Sequence, residues 1–356
     1  MYNAIANVNN ILDHIHADNG VLLTPGMYEI IRGECLALRA FLHFDLMRLF
    51  GPVPADLEAG GARLPYVRVV SKEIKLPVSY DEYKDFLLKD LRDAAALLKE
   101  YDPIVVEGSV TDEFLVRRTC RMNYYAVKAL QARAFLWYGE KENAYAAAME
   151  VIEAKNSDGS KKFDIEAIKT AFPGQDFIIY PEQIFGLYDH QLDDKYSSFF
   201  QTGILYKGTS SQEIMKNLYG NTGKDFREQY LWELQRLVDG DRYTIKKYNV
   251  TLGVKQIPLI RLSELYFIAI ESGSAEQAQK LWDEYRDSRV LDRKDLPTDP
   301  KQLQQEILTE FRKEFYAEGQ LFYLYKRYNS PREDILFANS RLVVNYILPL
   351  PKTELK

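Results

Sequence analysis

At 356 residues and a formal charge of −6, the chain is long enough to bury a large core and is mildly acidic. Its 46 Lys and Arg are spread rather than clustered, which argues against nucleic acid, whose counterions are displaced by a basic stripe. The two cysteines, Cys35 and Cys120, fall in or beside expected helices and read as apolar buried thiols, not as a disulfide framework.

The N-terminal stretch reads as an amphipathic helix over residues 3–17, with Ile5, Val8, Ile11, Leu12 and Ile15 on one side. It has neither the basic start nor the continuous apolar run of a signal peptide. Residues 33–50 form a second helix, stopped by Gly51 and Pro52. That helix is apolar nearly all the way round, so it is expected to pack between other helices. Arg39, His43, Asp45 and Arg48 interrupt every apolar run and argue against a membrane span. After a loop over 51–78, Ser79 and Glu82 make a capping box, and Tyr83, Leu87, Leu91, Ala94 and Leu98 mark one helix face.

Two helix pairs share a pattern. In the first, expected at 119–139 and 142–154, Ala132, Ala134 and Phe135 precede Gly139, and Ala144 follows it. In the second, Leu262 and Leu265 precede Gly273, with Ala278 and Trp282 after it. This is the small–large alternation of degenerate tetratricopeptide-type repeats. Between the pairs, residues 160–258 carry turn signals and short β-type runs at Phe177–Tyr180, Gln183–Leu187 and Tyr243–Val250. The expected fold is therefore mainly α, a helical-repeat scaffold with a loop-rich insertion containing a few short strands. No flexible linker interrupts it, so one domain is expected over 1–356. Within it lie an N-terminal scaffold (1–155), the insertion (156–258) and a C-terminal helical repeat and tail (259–356).

Catalytic motifs are missing: there is no G-x-S-x-G elbow, phosphate-cradling glycine loop or H-E-x-x-H. His14 and His16 point in different directions on a helix, and His43 reads as a hydrogen-bonded core histidine. His190 stands among acidic residues that a solvated turn explains. None of the 52 acidic residues is singled out as a catalytic pair. The expectation is a protein that is not an enzyme, with no cofactor and no metal. Candidate ligand-binding residues are Tyr188, Tyr196 and Tyr206, interleaved with Asp189, Gln191 and Asp193. Rings pack on apolar sugar faces, and carboxylates and amides accept hydroxyl hydrogen bonds. Phe199 and Phe200 read as a loop anchor buried against the scaffold.

The pattern Gly33-Glu34, Leu38-Arg39-Ala40-Phe41, His43-Phe44-Asp45-Leu46, Arg48-Leu49-Phe50-Gly51-Pro52 closely resembles the signature helix of the SusD/RagB family. RLSELYFIAIESG (Arg261 to Gly273) resembles the family's late helix. EFRKEFYAEGQLFYLYKR (Glu310 to Arg327) resembles its last long helix, and LPLPKTEL (Leu348 to Leu355) its terminus. The resemblance implies a surface-exposed outer-membrane lipoprotein of Bacteroidetes that captures a nutrient for a TonB-dependent, SusC-like β-barrel transporter. Its ligand would be a glycan or oligosaccharide, a peptide being an alternative. The membrane would be reached only through a lipid anchor, which with the family's signal peptide and early helices is expected to lie outside this chain. Rival readings are a protein–protein adaptor on the same scaffold and an α-helical carbohydrate-active enzyme. Glu34, Arg39, His43, Asp45 and Arg48 read as a structural signature. Their charges are expected to be paired with Arg312, Glu314, Glu318 or Arg327 of the late helices, because an unpaired buried charge is costly.

Overall fold

The computed structural model describes residues 1–17, 20–59, 61, 63–107, 112–206, 212–238, 240–250 and 254–351. The chain divides into two compact units, Met1–Ala147 with Phe322–Lys356, and Ala148–Leu321.

The first unit is built on three helices, α1 (Tyr2–His14), α2 (Met27–Phe50) and α3 (Tyr80–Tyr101). α2 starts six residues earlier than the apolar pattern predicts, after Gly26 at φ 78°. A side chain on Gly26 would have its Cβ 2.6 Å from the Tyr101 ring, and one on Gly33 would lie 2.8 Å from Leu98. Glycine at both points is what lets α2 and α3 approach closely. The capping box of α3 forms in full: the Ser79 hydroxyl accepts from the Glu82 amide and the Glu82 carboxylate accepts from the Ser79 amide. The face of Tyr83, Leu87, Leu91, Ala94 and Leu98 is fully buried. Each of those leucines contributes about 1.5–3 kcal/mol by leaving water.

The helix Tyr124–Trp137 and its neighbour Lys141–Ile152 turn at Gly139, which is left-handed at φ 79°. Ala132, Ala134 and Ala144 have no exposed surface, as the small–large pattern requires. Asn123 caps the first of these helices. The sequence places its start near 119, but residues Arg118–Cys120 form a separate 3-10 turn. Cys35 is buried, whereas Cys120 is half-exposed, and both are free thiols.

The second unit carries two small antiparallel sheets, β1 (Gln183–Tyr188) with β4 (Gln256–Arg261), and β2 (Trp232–Leu237) with β3 (Gly240–Ile245). Phe177–Tyr180, expected as a strand, is a turn. Ile179 is left-handed at φ 53°, the Asp176 carboxylate accepts from the Tyr180 amide, and Phe177, Ile178 and Ile179 plug the core instead. The expected strand over Tyr243–Val250 ends at Ile245.

Helices Leu262–Ser272 and Ala275–Ser288 form the second pair, joined at Gly273 and capped by Ser274 with Gln277. The expected long helix over 310–327 is two helices, Pro300–Glu314 and Leu321–Tyr328, separated by left-handed residues at Ala317 and Gly319. The break is held by side chains. Lys247 and Arg261 donate to the Glu314 carbonyl, and the Tyr248 hydroxyl donates to the Ala317 carbonyl. Backbone acceptors freed by ending the helix are thereby satisfied.

Candidate functional site

The charged residues of the signature helix have partners other than those the sequence suggests. Arg39 makes a two-pronged pair with Asp90 of α3, both bonds at 2.7 Å, and also donates to Asn9 and to the Arg68 carbonyl. Glu34 accepts from Arg118 and Arg121, and Arg118 reaches on to Asp102. Asp45 pairs with Arg48 one turn along, and the Arg48 guanidinium lies 3.8 Å over the Tyr323 ring. The expectation that Arg312, Glu314, Glu318 and Arg327 supply these partners is overturned for the two glutamates, which are engaged elsewhere. Glu314 accepts from Arg227, Arg261 and Arg289, while Glu318 accepts from Arg261 and Lys247. Arg327 lies over the Tyr328 ring, and Arg312 is half-buried on the helix Pro300–Glu314. Apart from Asp45 with Arg48, sequence spacing could not reveal these pairings: Arg39–Asp90, Arg118–Glu34 and the contacts of Glu314 with Arg227 and Arg289 join residues 25 to 87 positions apart.

The aromatic segment after β1 is where exposed rings gather. β1–β4 pairing sets Tyr188 opposite Gln256, and the Asp189 amide donates to the Lys255 carbonyl at 3.0 Å. Three predicted residues, Asp189, Gln191 and Asp193, then share one turn. The Asp189 carboxylate accepts from the Gln191 amide and from Lys195, and Asp193 accepts twice from Lys255, at 2.8 and 2.9 Å. Lys255 also donates to the His190 carbonyl. The Lys195 ammonium holds the Asp189 carboxyl below its ordinary range, and Lys255 does the same for Asp193. Both carboxylates are therefore ionised acceptors on an exposed turn. Lys195 and Lys255 are members of this site that sequence reasoning missed. β1–β4 pairing brings Lys255 in from 62 residues away, which no local pattern reports.

Below the turn lies a small apolar cluster of Leu192, Tyr196, Tyr248 and Val250, with Phe200, Ile257 and Ala317 against it. Tyr196 is only 3% exposed and stacks on Phe200 at 5.7 Å. Its ring is an anchor and cannot serve as an open stacking platform. Phe199, expected as an anchor with Phe200, is 54% exposed. On the π-helical turn Ser197–Gln201 the adjacent Phe199 and Phe200 fall on different sides, Phe199 towards water and Phe200 against Tyr196. Tyr188 at one end of the segment is 55% exposed, and Tyr206 at the other is 38% exposed with the Arg242 guanidinium 4.5 Å above its ring. The arrangement offers flat apolar rings beside ionised acceptors and ammonium donors. Such a surface suits a polyhydroxylated ligand with an apolar face. Among the described residues, no cluster of three or more His, Cys, Asp or Glu is arranged to hold a metal, and no helix is long and apolar enough to cross a membrane.

Paired helices with two small two-stranded sheets place the chain in the mainly α, helical-repeat class of fold. Residues 124–354 match the family model described as the SusD family, and residues 1–107 match a SusD-like model described as starch-binding and associating with the outer membrane. The chain belongs to the SusD/RagB family. It is similar in fold to a SusD superfamily protein from Bacteroides thetaiotaomicron, with 21% identity over 92% of this chain and 73% of that one, at a TM-score of 0.71. A SusD-like carbohydrate binding protein from Bacteroides vulgatus matches at 18% identity, 92% and 68% coverage and a TM-score of 0.69. A laminarin-binding SusD-like protein matches at 18% identity, covering all of this chain and 82% of its own, with a TM-score of 0.71. No curated protein sequence matches the chain.

Proposed function

We propose that this protein is a non-catalytic capture subunit of an outer-membrane uptake system, binding an oligosaccharide at the cell surface and passing it to a TonB-dependent β-barrel transporter. The observation that carries the reading is the segment from Tyr188 to Tyr206. It exposes three rings, those of Tyr188, Phe199 and Tyr206, and the turn that follows Tyr188 is held by the Asp189–Lys195 and Asp193–Lys255 pairs. Membership of a family that includes carbohydrate-binding proteins supports the sugar as ligand class. A wet, shallow surface gains little per ring, so useful affinity comes from several contacts along a polymer and from many copies on a cell.

Calorimetric titration of a panel of β-glucan, α-glucan and mannan oligosaccharides tests this. Binding should strengthen with oligomer length and weaken several-fold in Tyr188→Ala and in Tyr206→Ala, with melting temperatures unchanged. Release of shorter sugars during the titration would overturn the non-catalytic part. Binding indifferent to both tyrosines would move the site elsewhere.

A further inference from the structure

The first unit holds a groove that the reading above does not use. It is bounded by α2, α3 and the extended segment around Arg68. One hollow of about 390 Å³ has Arg32 and Leu36 on one side, Phe86 and Leu97 on another, and Arg68 at its rim. A neighbouring hollow of about 360 Å³ shares Arg32, Leu36 and Arg68 and runs on to Asp13 of α1. This size lies within the roughly 300–1,000 Å³ of small-molecule sites.

The charges in the groove do not cancel. On its floor, Arg39 is consumed by Asp90 and Asn9, and at its exposed edge Lys89 pairs with Asp93 at 2.5 Å. Two guanidinium groups remain. Among the described residues neither Arg32 nor Arg68 meets a carboxylate, and the Arg68 guanidinium lies over the Phe86 ring, 4.1 Å from its centre. Asp13 is the groove's one carboxylate outside an ion pair among the described residues. Two half-exposed to exposed arginines without a carboxylate partner among the described residues, set over apolar walls, suit a carboxylate with an apolar body, since the planar fork of arginine matches a carboxylate in two-pronged geometry.

The backbone decides which carboxylate. An extended acidic peptide docks by adding a strand to free backbone groups. Three consecutive backbone groups beside the arginine are already engaged: the Val67 amide donates to His43, the Val67 carbonyl accepts from Asn9, and the Arg68 carbonyl accepts from Arg39, which leaves no continuous strand edge at this point. A sugar acid needs no strand edge. Its carboxylate can meet the arginines while a ring face rests on Leu97.

We propose that this groove binds a uronate unit of an acidic oligosaccharide through Arg32 and Arg68, at a site separate from the Tyr188–Tyr206 surface. The proposal rests on the sugar-binding reading for its ligand class and goes beyond it in site and charge.

The test is titration of the whole chain with trimers of galacturonate, glucuronate and mannuronate, with tetraglutamate as the peptide arm. At least one uronate trimer should bind. Its affinity should fall about tenfold or more in the Arg32→Ala, Arg68→Ala double variant and fall on raising salt from about 50 to about 500 mM. Asp13→Asn should strengthen it, because the competing carboxylate is gone. Melting temperatures of the variants should match the parent, so lost binding is not lost folding. No binding of any uronate trimer, equal binding by the double variant, or equally tight tetraglutamate each overturns the proposal. Neutral oligosaccharides titrated into the same samples keep the two readings apart. Neutral binding without uronate binding sinks the groove alone, and uronate binding without neutral binding sinks the tyrosine surface alone.

Discussion

The Nε2 of His43 accepts a hydrogen bond from the Val67 amide at 2.9 Å, while Nδ1 faces the Arg39 carbonyl at 2.9 Å. The two contacts fix the neutral tautomer with its proton on Nδ1. A second proton would set a donor against the Val67 donor, in a site with no exposed surface and with the Tyr66 ring stacked at 3.9 Å.

Burial accordingly lowers the His43 pKa to about 4. The unfolded chain takes up the proton near 6.5 while the folded one does not, so stability is full above that value and falls as pH drops towards 4. The loss from this one group should approach about 3 kcal/mol at the bottom of the window. Urea unfolding of the parent and of His43→Leu at several pH values checks it. The variant should start lower and lose less between pH 6.5 and 4, and parallel curves would exclude His43 as the source.

Asp90→Asn should cost about 3–5 kcal/mol, because Arg39 is left buried with its countercharge removed. Tyr66 is affected as well, since its hydroxyl donates to the same carboxylate at 2.7 Å and must share the one remaining amide oxygen with Arg39. Replacing both ends, Arg39→Met with Asp90→Leu, should recover much of the loss. A double variant no better than the single one would mean that packing, not charge, is what the pair supplies.

Glu314 accepts from Arg227, Arg261, Arg289 and the Tyr285 hydroxyl. These three guanidinium groups hold its carboxyl well below the ordinary range, although burial opposes them. Glu314→Gln should therefore destabilise the second unit by about 3–5 kcal/mol. Proteolysis of the variant should cut first within residues 148–321; first cleavage elsewhere would count against the assignment.

Lys326 is buried without a carboxylate, donating to the Gly51 carbonyl at 2.8 Å, and desolvation brings its pKa down to about 8. Below that pH its charge is present in both states and costs the folded one. As pH rises above about 8 the folded lysine releases its proton while the unfolded one keeps it, so stability should climb by about 1 kcal/mol near pH 9. Above pH 10 the buried tyrosines Tyr66 and Tyr83, whose pKa values are raised by burial, reverse the trend. Lys326→Met should remove the rise and leave the later fall, as thermal melts between pH 7 and 11 would show.

Tyr196→Ala should behave unlike Tyr188→Ala. Removing a buried ring that stacks on Phe200 costs about 3–5 kcal/mol, whereas removing the exposed ring leaves stability nearly unchanged. Equal melting temperatures for the two variants would contradict the burial assigned to Tyr196.

The α3 cap and its buried face were legible because both are local: Ser79 and Glu82 are three residues apart, and Tyr83 to Leu98 repeat at helical spacing. The signature helix and the small–large helix pairs were legible for the same reason. Phe177–Tyr180 was misread because a buried apolar run looks the same whether it is a strand or a plug, and the left-handed Ile179 decides between them. The candidate surface was legible only as a segment. Which of its rings face water follows from the π-helical turn and from Tyr248 and Val250 beneath it, neither of which is visible in local periodicity.

By itself the sequence determined the helical class, the helix ends at Gly51-Pro52, Gly139 and Gly273, and the family to which the signature residues point. Each of these depends on neighbours within a turn or two, where backbone sterics and capping act. Only the tertiary structure decided that Arg39 pairs with Asp90, that Glu314 gathers three arginines, that Tyr196 is an anchor, and that Arg32 and Arg68 share a groove. A charge carries no mark of its partner in the sequence. The partner is chosen by which helices pack together and by the cost of burying either charge alone.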